Sequence, residues 1–250
     1  MMDTMNIDDY LAQGGVLTSP DNVPARYRGE LLRLMASFVD SELAASAGFA
    51  ASINFAPGIK ERIAASRITL EKADHAERVL NVMADFGTDT DRYQAMHDWA
   101  SRVERDASLD AARRDGDMRL SVFHYPLSSW DDAVVMNVLM GLATQVQLTE
   151  LTRLSYAPLA EVFREIAPRE RRHMELGIEG IEKLATGGDK ARLRELIAYW
   201  RPRVAATFGS LNSSRFETLS RFGLRRTPNE TLLSRWQQDL DALLDRLGLN

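Results

Sequence analysis

The chain has 250 residues, of which 45% are hydrophobic and 27% charged, and its formal net charge is −5. This length and composition are typical of a soluble globular protein with one large core or two smaller ones. The acidic balance argues against nucleic-acid binding, which usually requires a basic face. Cysteine is absent, so disulfides, thiolate metal sites, iron–sulfur clusters and cysteine nucleophiles are excluded.

Neither the first residues nor the apolar segments predict a membrane protein. Residues 1–10 are acidic and contain no apolar run, so we expect no signal peptide. The most apolar window, residues 133–143, is too short to cross a bilayer and contains Asn137 and Gly141. We therefore expect a cytoplasmic protein that binds neither a membrane nor nucleic acid.

The hydrophobic pattern predicts an all-α protein. Residues 1–24 contain Gly14-Gly15 and two prolines with little periodicity, and are predicted to form an irregular N-terminal arm. Residues 25–250 are predicted to form one helical domain, a ferritin-like bundle with a C-terminal helical extension. Seven helices are predicted, at about residues 25–55, 59–86, 91–114, 129–142, 158–184, 190–208 and 228–247. The third is largely charged after Trp99 and is expected at the surface, whereas the fourth is apolar nearly all round and is expected at the centre.

Local signals refine several of these boundaries. Pro126 holds the preceding residue away from the helical region, so residues 119–130 are expected to be extended. Ser129 is expected to begin the fourth helix. Pro168 removes one backbone donor and predicts a kink or π-bulge in the fifth helix. Thr227 to Glu230 has the pattern of a capping box for the last helix.

Polar residues interrupt the apolar stripes of three predicted helices. Glu42 is in phase with the stripe of the first helix, and Glu170 and His173 are in phase with that of the fifth. The stripe of the second helix passes through Lys72 and His75. The periodicity thus places these five residues inside and Glu71 outside.

Two interpretations of these residues compete. A single Glu-x-x-His often occurs by chance, but two of only four histidines and two in-phase glutamates fall on apolar stripes here. Buried charges must be paired or must ligate metal, so a shared polar cluster is expected. Glu-x-x-His motifs on two helices, with a carboxylate from each of two others, form di-iron carboxylate sites. Glu42, His75, Glu170 and His173 match four of those six ligands.

Several segments of the sequence match the motifs of a known family: Ser121-Val122-Phe123-His124-Tyr125-Pro126, Trp130-Asp131, Ser155-Tyr156-Ala157-Pro158, Glu170-Arg171-Arg172-His173, Asp74-His75 and Asp85-Phe86-Gly87. On these segments the chain resembles the ferritin-like catalytic A subunit of ring-1,2-phenylacetyl-CoA epoxidase, a multicomponent bacterial oxygenase. The similarity covers about residues 31–249 in the same helix order. The resemblance implies an up-and-down bundle, a di-iron centre that uses dioxygen, and a reductase that supplies electrons. It also implies an aryl-CoA substrate and a ferritin-like partner subunit.

The sequence departs from that family at two of the six expected ligands. By the resemblance, position 72 would be a glutamate, but it is Lys72, and no acid lies between Asp132 and Glu150, where the fourth helix should supply one. A register shift of one turn would move that ligand toward Asp132. Alternatively, Lys72 pairs with Glu42 and Glu170 and replaces metal charge, leaving a metal-free polar core.

The sequence therefore leaves the function open between two classes. The first is an A-type subunit of an aryl-CoA monooxygenase in phenylacetate catabolism, with an incomplete di-iron site. The second is a non-catalytic structural paralogue that binds a partner subunit or an acyl-CoA. Whether the chain is an enzyme depends on Lys72.

Overall fold

The computed structural model describes residues 7–108, 116–211 and 214–250. Within these ranges the chain is helical and has no β-strand; Leu17 and Tyr156 form one isolated bridge. The all-α expectation is confirmed. The α-helices are α1 (Ile7–Ala12), α2 (Ala25–Ser52), α3 (Ile59–Ala84), α4 (Thr90–Gln94), α5 (Trp130–Leu151), α6 (Ala157–Gly187), α7 (Lys190–Ala205), α8 (Phe216–Arg221) and α9 (Asn229–Leu247).

Four long helices form the central bundle. α2 packs along α3 and α5 packs along α6, and α3 also contacts α6. α7 and α9 cover another side of α5. One apolar cluster lies between α5, α7 and α9, and a second lies between α2, α3 and the first half of α6. The polar residues considered below lie where these four helices face one another.

α5 is the most apolar helix, and its burial explains why. It is long and apolar enough to cross a membrane by length and composition alone, but most of it is buried inside the protein. A helix that is apolar nearly all round is expected at the centre of a bundle, because every face contacts another helix. Its start agrees with the sequence, since the Ser129 hydroxyl accepts a hydrogen bond from the Asp132 N–H at 3.2 Å.

At Pro168, the structure excludes one of the two expected features of α6, the π-bulge. The proline lies inside a helix that is α-helical from Ala157 to Gly187, and the expected π-bulge is absent from this fully described segment. The missing backbone donor is therefore accommodated without a change in the helical pattern, and Glu170 and His173 remain on one face.

The predicted third helix, residues 91–114, is wrong over most of its described length. Only α4 is helical, and residues 95–108 form turns and irregular structure; residues 109–115 lie outside the described residues. Side chains satisfy the loop backbone instead. Trp99 Nε1 donates to the carbonyl oxygen of Gln94 at 2.7 Å, and Arg102 donates to three backbone carbonyl oxygens. These tertiary hydrogen bonds outweigh the weak helical periodicity.

The predicted capping box of the last helix is also wrong. α9 begins at Asn229, and no side chain caps it. The Thr227 hydroxyl and N–H instead donate to the carboxylate of Glu150 at 2.8 and 2.9 Å. A buried carboxylate needs donors more than an exposed helix end does, because water can satisfy the latter.

The segment before α5 is only partly extended. Ser121–His124 forms a 3₁₀ turn, and Tyr125 is then extended with φ −92° and ψ 142°, as the following proline requires. The N-terminal arm likewise includes regular structure, since α1 and a 3₁₀ turn at Pro20–Asn22 lie within it.

Candidate functional site

The five predicted residues meet at the centre of the bundle. Glu42 comes from α2, Lys72 and His75 from α3, and Glu170 and His173 from α6. All five are at least nine-tenths buried. Residues three apart share a helix face, so α3 and α6 each direct two polar side chains to the same point.

Lys72 is at the centre of this cluster. Its Nζ lies 3.0 Å from Glu42 Oε1 and 2.9 and 3.0 Å from the two carboxylate oxygens of Glu170. An ammonium group has three donors and no acceptor, so these three contacts match its full capacity. Lys72 therefore joins the carboxylates of α2 and α6 in one ionic group.

His75 bridges the same two carboxylates. Its Nδ1 lies 3.2 Å from Glu42 Oε2 and 2.9 Å from Glu170 Oε1. Carboxylates only accept, so Nδ1 carries the proton in this arrangement. The other ring nitrogen, Nε2, is buried with no hydrogen-bond partner among the described residues. The ring stacks near that of His173, with centroids 5.8 Å apart.

Glu71 belongs to the cluster, although the sequence stripe placed it outside. Its Oε2 lies 2.6 Å from His173 Nε2, and its side chain is 26% exposed. The backbone of Glu71 lies at the edge of the inward face, and the length of the side chain lets the carboxylate reach back to α6. In the sequence, the only indication of this position was that Glu71 precedes His75 by four residues, a spacing that puts both on one side of a helix. His173 Nδ1 lies 3.4 Å from Glu170 Oε1 without a hydrogen bond.

Burial and the neighbouring charges shift the pKa values of the cluster in opposite directions, and the neighbouring charges prevail. Burial by itself lowers the pKa of Lys72, but the carboxylates of Glu170 and Glu42 outweigh it and raise that pKa above its ordinary value. Burial also opposes ionisation of Glu170, yet the Lys72 ammonium and the two histidines hold its pKa well below the usual range. Burial lowers and the two carboxylates raise the pKa of His75, with a net increase. The ionised carboxylates and the ammonium thus stabilise one another.

α5 contributes no acid to this cluster. Asn137 donates to the backbone oxygen of His173 at 3.0 Å, and a Cβ on Gly141 would lie 3.0 Å from Met174. The two buried acids of α5 have other partners. Asp132 accepts from Arg105, Trp200 and the N–H of Ser128, and Glu150 accepts from residues 226 and 227. The register shift that would bring Asp132 into the site is therefore not observed.

Comparison with known proteins gives the family. The family of phenylacetic acid catabolic proteins matches residues 5–250, nearly the whole chain. The chain belongs to this family. The A subunit of 1,2-phenylacetyl-CoA epoxidase from Escherichia coli strain K12 is 26% identical over 252 residues, which cover 97% of this chain and 75% of that protein. The resemblance inferred from the sequence motifs is confirmed, and it supports an A-subunit-like role in phenylacetate catabolism.

For a member of this family, the resemblance implies a di-iron oxygenase, and part of a ligand set is present. Glu42, His75 and Glu170 each offer one ligand atom, and these atoms lie within 4.8 Å of one another. Carboxylate oxygens and imidazole nitrogens are ordinary ligands for iron. Lys72 approaches the same carboxylate oxygens, however, so ammonium and metal ion would compete for them.

A cavity of about 320 Å³ opens beside the cluster. Glu42 and Phe38 of α2 line it on one side and Met140 of α5 on the other, while Arg33 and Arg225 also contribute. Its walls are mainly apolar. Apolar cavities with a few convergent charged groups are typical of small-molecule sites.

The other two histidines and the arginines near Glu170 lie away from the cluster. His97 is half-buried beside Trp99, with ring centroids 5.3 Å apart, and His124 is buried in the 3₁₀ turn before α5. Arg169 pairs with Asp74, and Arg172 pairs with acids on its own helix. These arginines are part of the solvated face of α6 and do not reach the ionic cluster.

Proposed function

We propose that this chain is an A-subunit-like protein of a multicomponent aryl-CoA oxygenase system in phenylacetate catabolism, and that its own centre is metal-free. Lys72 takes over charge that metal would supply, and the chain acts as a non-catalytic subunit that binds a partner or an acyl-CoA. One observation carries the proposal: the Lys72 ammonium contacts both carboxylates that would otherwise bridge or ligate metal.

The residues present do not fit a two-iron centre. Such a centre needs a carboxylate from each of four helices, and the two buried acids of α5, Asp132 and Glu150, are bound to other groups. The side chain at position 72 is a cation where the family pattern has an acid. His75 directs a protonated nitrogen at Glu42 and Glu170, so that nitrogen is not free to ligate.

The charge balance supports the same conclusion. Two carboxylates buried without a cation would be strongly destabilised, because ions lose their hydration in the interior. Lys72 and His75 are both hydrogen-bonded to Glu42 and Glu170. Two side-chain cations can therefore neutralise the two carboxylates.

The neighbouring cavity suits an acyl thioester. Arg33 makes no hydrogen bond or ion pair with any residue in the described ranges, so its guanidinium is available to an anion. Arg225 is held by Gln147 and Asn229 at 2.7 and 3.2 Å. An apolar acyl or aryl group would occupy the walls near Phe38, while the charged part of CoA would lie toward Arg33.

A di-iron monooxygenase is the second candidate, favoured by the three converging ligand atoms of Glu42, His75 and Glu170. Metal content distinguishes the two. We expect protein purified from iron-supplied cells to contain far less than one iron per chain, and Lys72→Glu to gain metal. Lys183→Glu is the matched control, because it makes the same charge change on the exposed side of α6.

Two results would overturn the metal-free proposal. One is a content near two irons per chain in the parent protein. The other is epoxidation of an aryl-CoA by a reconstituted complex in which this chain is the sole ferritin-like component. Acyl-CoA binding is tested separately by calorimetry with phenylacetyl-CoA, comparing the parent with Arg33→Gln, for which at least tenfold weaker binding is expected.

A further inference from the structure

A second cavity opens between α3 and α6, one helical turn from the ionic cluster. Its volume is about 240 Å³, and it shares no lining residue with the cavity beside Glu42. Ile68, one turn before Lys72, and Gly177, one turn after His173, lie in its wall. From α2 and α5 the wall includes Phe49, Trp130 and Val134. We call this space the α3–α6 cavity.

Close packing of α6 on α5 leaves this space open. A Cβ on Gly177 would lie 2.8 Å from Asn137 Nδ2, and a Cβ on Gly180 would lie 3.0 Å from Val134. The two glycines therefore let α6 approach α5 more closely than larger residues would allow. α3 lines the gap with Ala64, whose side chain is too short to fill it. The cavity thus results from small residues at fixed positions on α3 and α6.

The walls of the α3–α6 cavity suit an apolar ligand of limited size. Phe49 and Ile68 are only 5% and 4% exposed, and most of the lining is apolar. A dry apolar cavity of about 150 Å³ holds a benzene molecule, so this one has room for one ring with a short side chain. Sites for larger organic ligands begin at about 300 Å³. The volume therefore favours a small free ligand over a thioester of coenzyme A.

The charged residues that line the cavity leave one cation without a partner. Both acids among them are engaged. Glu61 lies 3.4 Å from Lys183, and the Glu179 carboxylate lies 3.0 Å from Arg172. Lys60 is exposed and forms no hydrogen bond or salt bridge with another described residue. The mouth of the cavity therefore offers an ammonium group to an anion.

The start of α3 adds to this preference for an anion. α3 begins at Ile59, and its N-cap, Gly58, provides no side-chain hydrogen bond. Pro57 and Lys60, on either side of that start, both line the cavity. Glu61 accepts from its own N–H, and the N–H groups of the first turn together carry partial positive charge. A carboxylate at the mouth is therefore favoured both by Lys60 and by the helix N-terminus.

We propose that the α3–α6 cavity binds a small aromatic carboxylate as the free acid. The ring packs against Phe49, Ile68 and Trp130, and the carboxylate lies at the mouth beside Lys60. The buried Asn137 favours the same orientation, because its Nδ2 donates to the backbone of α6 and only its acceptor oxygen remains for a ligand. This cavity shares no residue with the ionic cluster or with the cavity beside it, so the inference and the proposed function can fail independently.

Calorimetric titration of the full chain with 3-phenylpropanoate tests the ligand class. We expect saturable binding with a Kd on the order of 1 mM or lower, as for other ligands of this size. The amide, 3-phenylpropanamide, has nearly the same shape without the charge and should bind about threefold more weakly. Absence of binding by the acid, or equal binding of acid and amide, overturns the proposal.

Substitutions in the wall and at the mouth test the location. Ala64→Leu fills part of the cavity and should weaken binding of 3-phenylpropanoate at least tenfold, whereas Ala73→Leu, on the same helix outside the cavity, should not. Lys60→Gln should weaken binding about threefold, and Arg67→Gln, which removes an exposed charge away from the cavity, should leave it unchanged.

Circular dichroism shows whether each variant is folded. Lys60→Gln changes an exposed side chain, so it still tests the site if Ala64→Leu does not fold. A folded Ala64→Leu variant, or a Lys60→Gln variant, that binds 3-phenylpropanoate as tightly as the parent contradicts this assignment.

Discussion

Two ionic groups, one around Asp132 and one around Lys72, differ in their hydrogen bonding. Around Asp132, one carboxylate accepts four bonds: two from Arg105 at 2.7 and 2.9 Å, one from Trp200 Nε1 at 2.6 Å and one from the Ser128 N–H at 2.8 Å. Around Lys72, the carboxylates of Glu42 and Glu170 share the ammonium and the His75 imidazole, and His173 is bound to Glu71. The first group is saturated by fixed donors, whereas the second leaves two imidazole nitrogens without partners among the described residues.

The two groups also differ in their surroundings. Arg105 reaches Asp132 from the surface and stacks on Tyr199, with its guanidinium carbon 3.9 Å from the ring centroid. The Asp132 group joins α5 to α7, and both of its carboxylate oxygens accept hydrogen bonds. The Lys72 cluster adjoins a cavity, and two of its imidazole nitrogens have no hydrogen-bond partner among the described residues.

The largest effect is expected when the cation of the Lys72 cluster is removed. Lys72→Met keeps the volume but leaves Glu42 and Glu170 without their ammonium partner. We expect the free energy of unfolding to fall by about 3–5 kcal/mol, the usual cost of an uncompensated buried charge. Urea denaturation at pH 7 measures it. The comparison variant Lys183→Met, at an exposed position, should change little.

A rescue variant sharpens this prediction. Neutralising both carboxylates in the Lys72→Met background, with Glu42→Gln and Glu170→Gln, should recover part of the lost stability, because no buried charge remains unpaired. If Lys72→Met unfolds at the same urea concentration as the parent, the ammonium does not neutralise the cluster.

A smaller effect is expected at the saturated group. Asp132→Asn keeps the shape but weakens hydrogen bonds from Arg105 and Trp200 to an anion, which costs about 1–3 kcal/mol. The same urea measurement applies, with Asp131→Asn as the adjacent control. Iron content should stay as in the parent. A change in metal binding in Asp132→Asn would mean that the two groups are not separate.

The smallest effect is a change in pH dependence. The pKa of His75 is raised above its ordinary 6.5, so its contribution is fully present below pH 6.5 and is lost as the pH rises through the raised value. The pKa of Glu170 is lowered from 4.5, so its contribution is present above pH 4.5 and is lost as the pH falls. The free energy of unfolding should therefore decrease both at acidic pH and at alkaline pH.

The variant His75→Gln distinguishes the alkaline decrease in stability from the acidic one. It should flatten the decline in unfolding free energy on the alkaline side of pH 6.5 and leave the decline below pH 4.5 in place. His97→Gln, which removes a histidine elsewhere, is the control. An unchanged alkaline slope in His75→Gln would show that His75 does not gain its proton affinity from the cluster.

Much of the fold and the centre of the site could be predicted from the sequence. Helical periodicity identified α2, α3, α5, α6, α7 and α9, because long amphipathic helices repeat the same local signal over many turns. The same periodicity directed Glu42, Lys72, His75, Glu170 and His173 inward. The pairing of Lys72 with two carboxylates was foreseen from charge alone, since buried carboxylates require a cation.

Other features depended on contacts that the sequence does not show. Glu71 enters the cluster because its side chain crosses from the edge of α3 to His173. Thr227 binds the distant Glu150 and does not cap α9. The helix expected at residues 91–114 is replaced largely by a loop whose carbonyl groups are bound by arginines. In each case a long-range hydrogen bond competes with a local preference worth only a fraction of a kcal/mol per residue.

The sequence by itself determined the six long helices, the inward faces of those that form the site, and the family, since these follow from local spacing and shared motifs. Only the tertiary structure decided how the charges are divided. In the folded chain, Arg105 donates hydrogen bonds to Asp132, and Thr227 donates to Glu150. The Lys72 ammonium lies within 3.0 Å of both Glu42 and Glu170. Helix spacing defines the direction of a side chain, but the partner it reaches depends on how neighbouring helices pack.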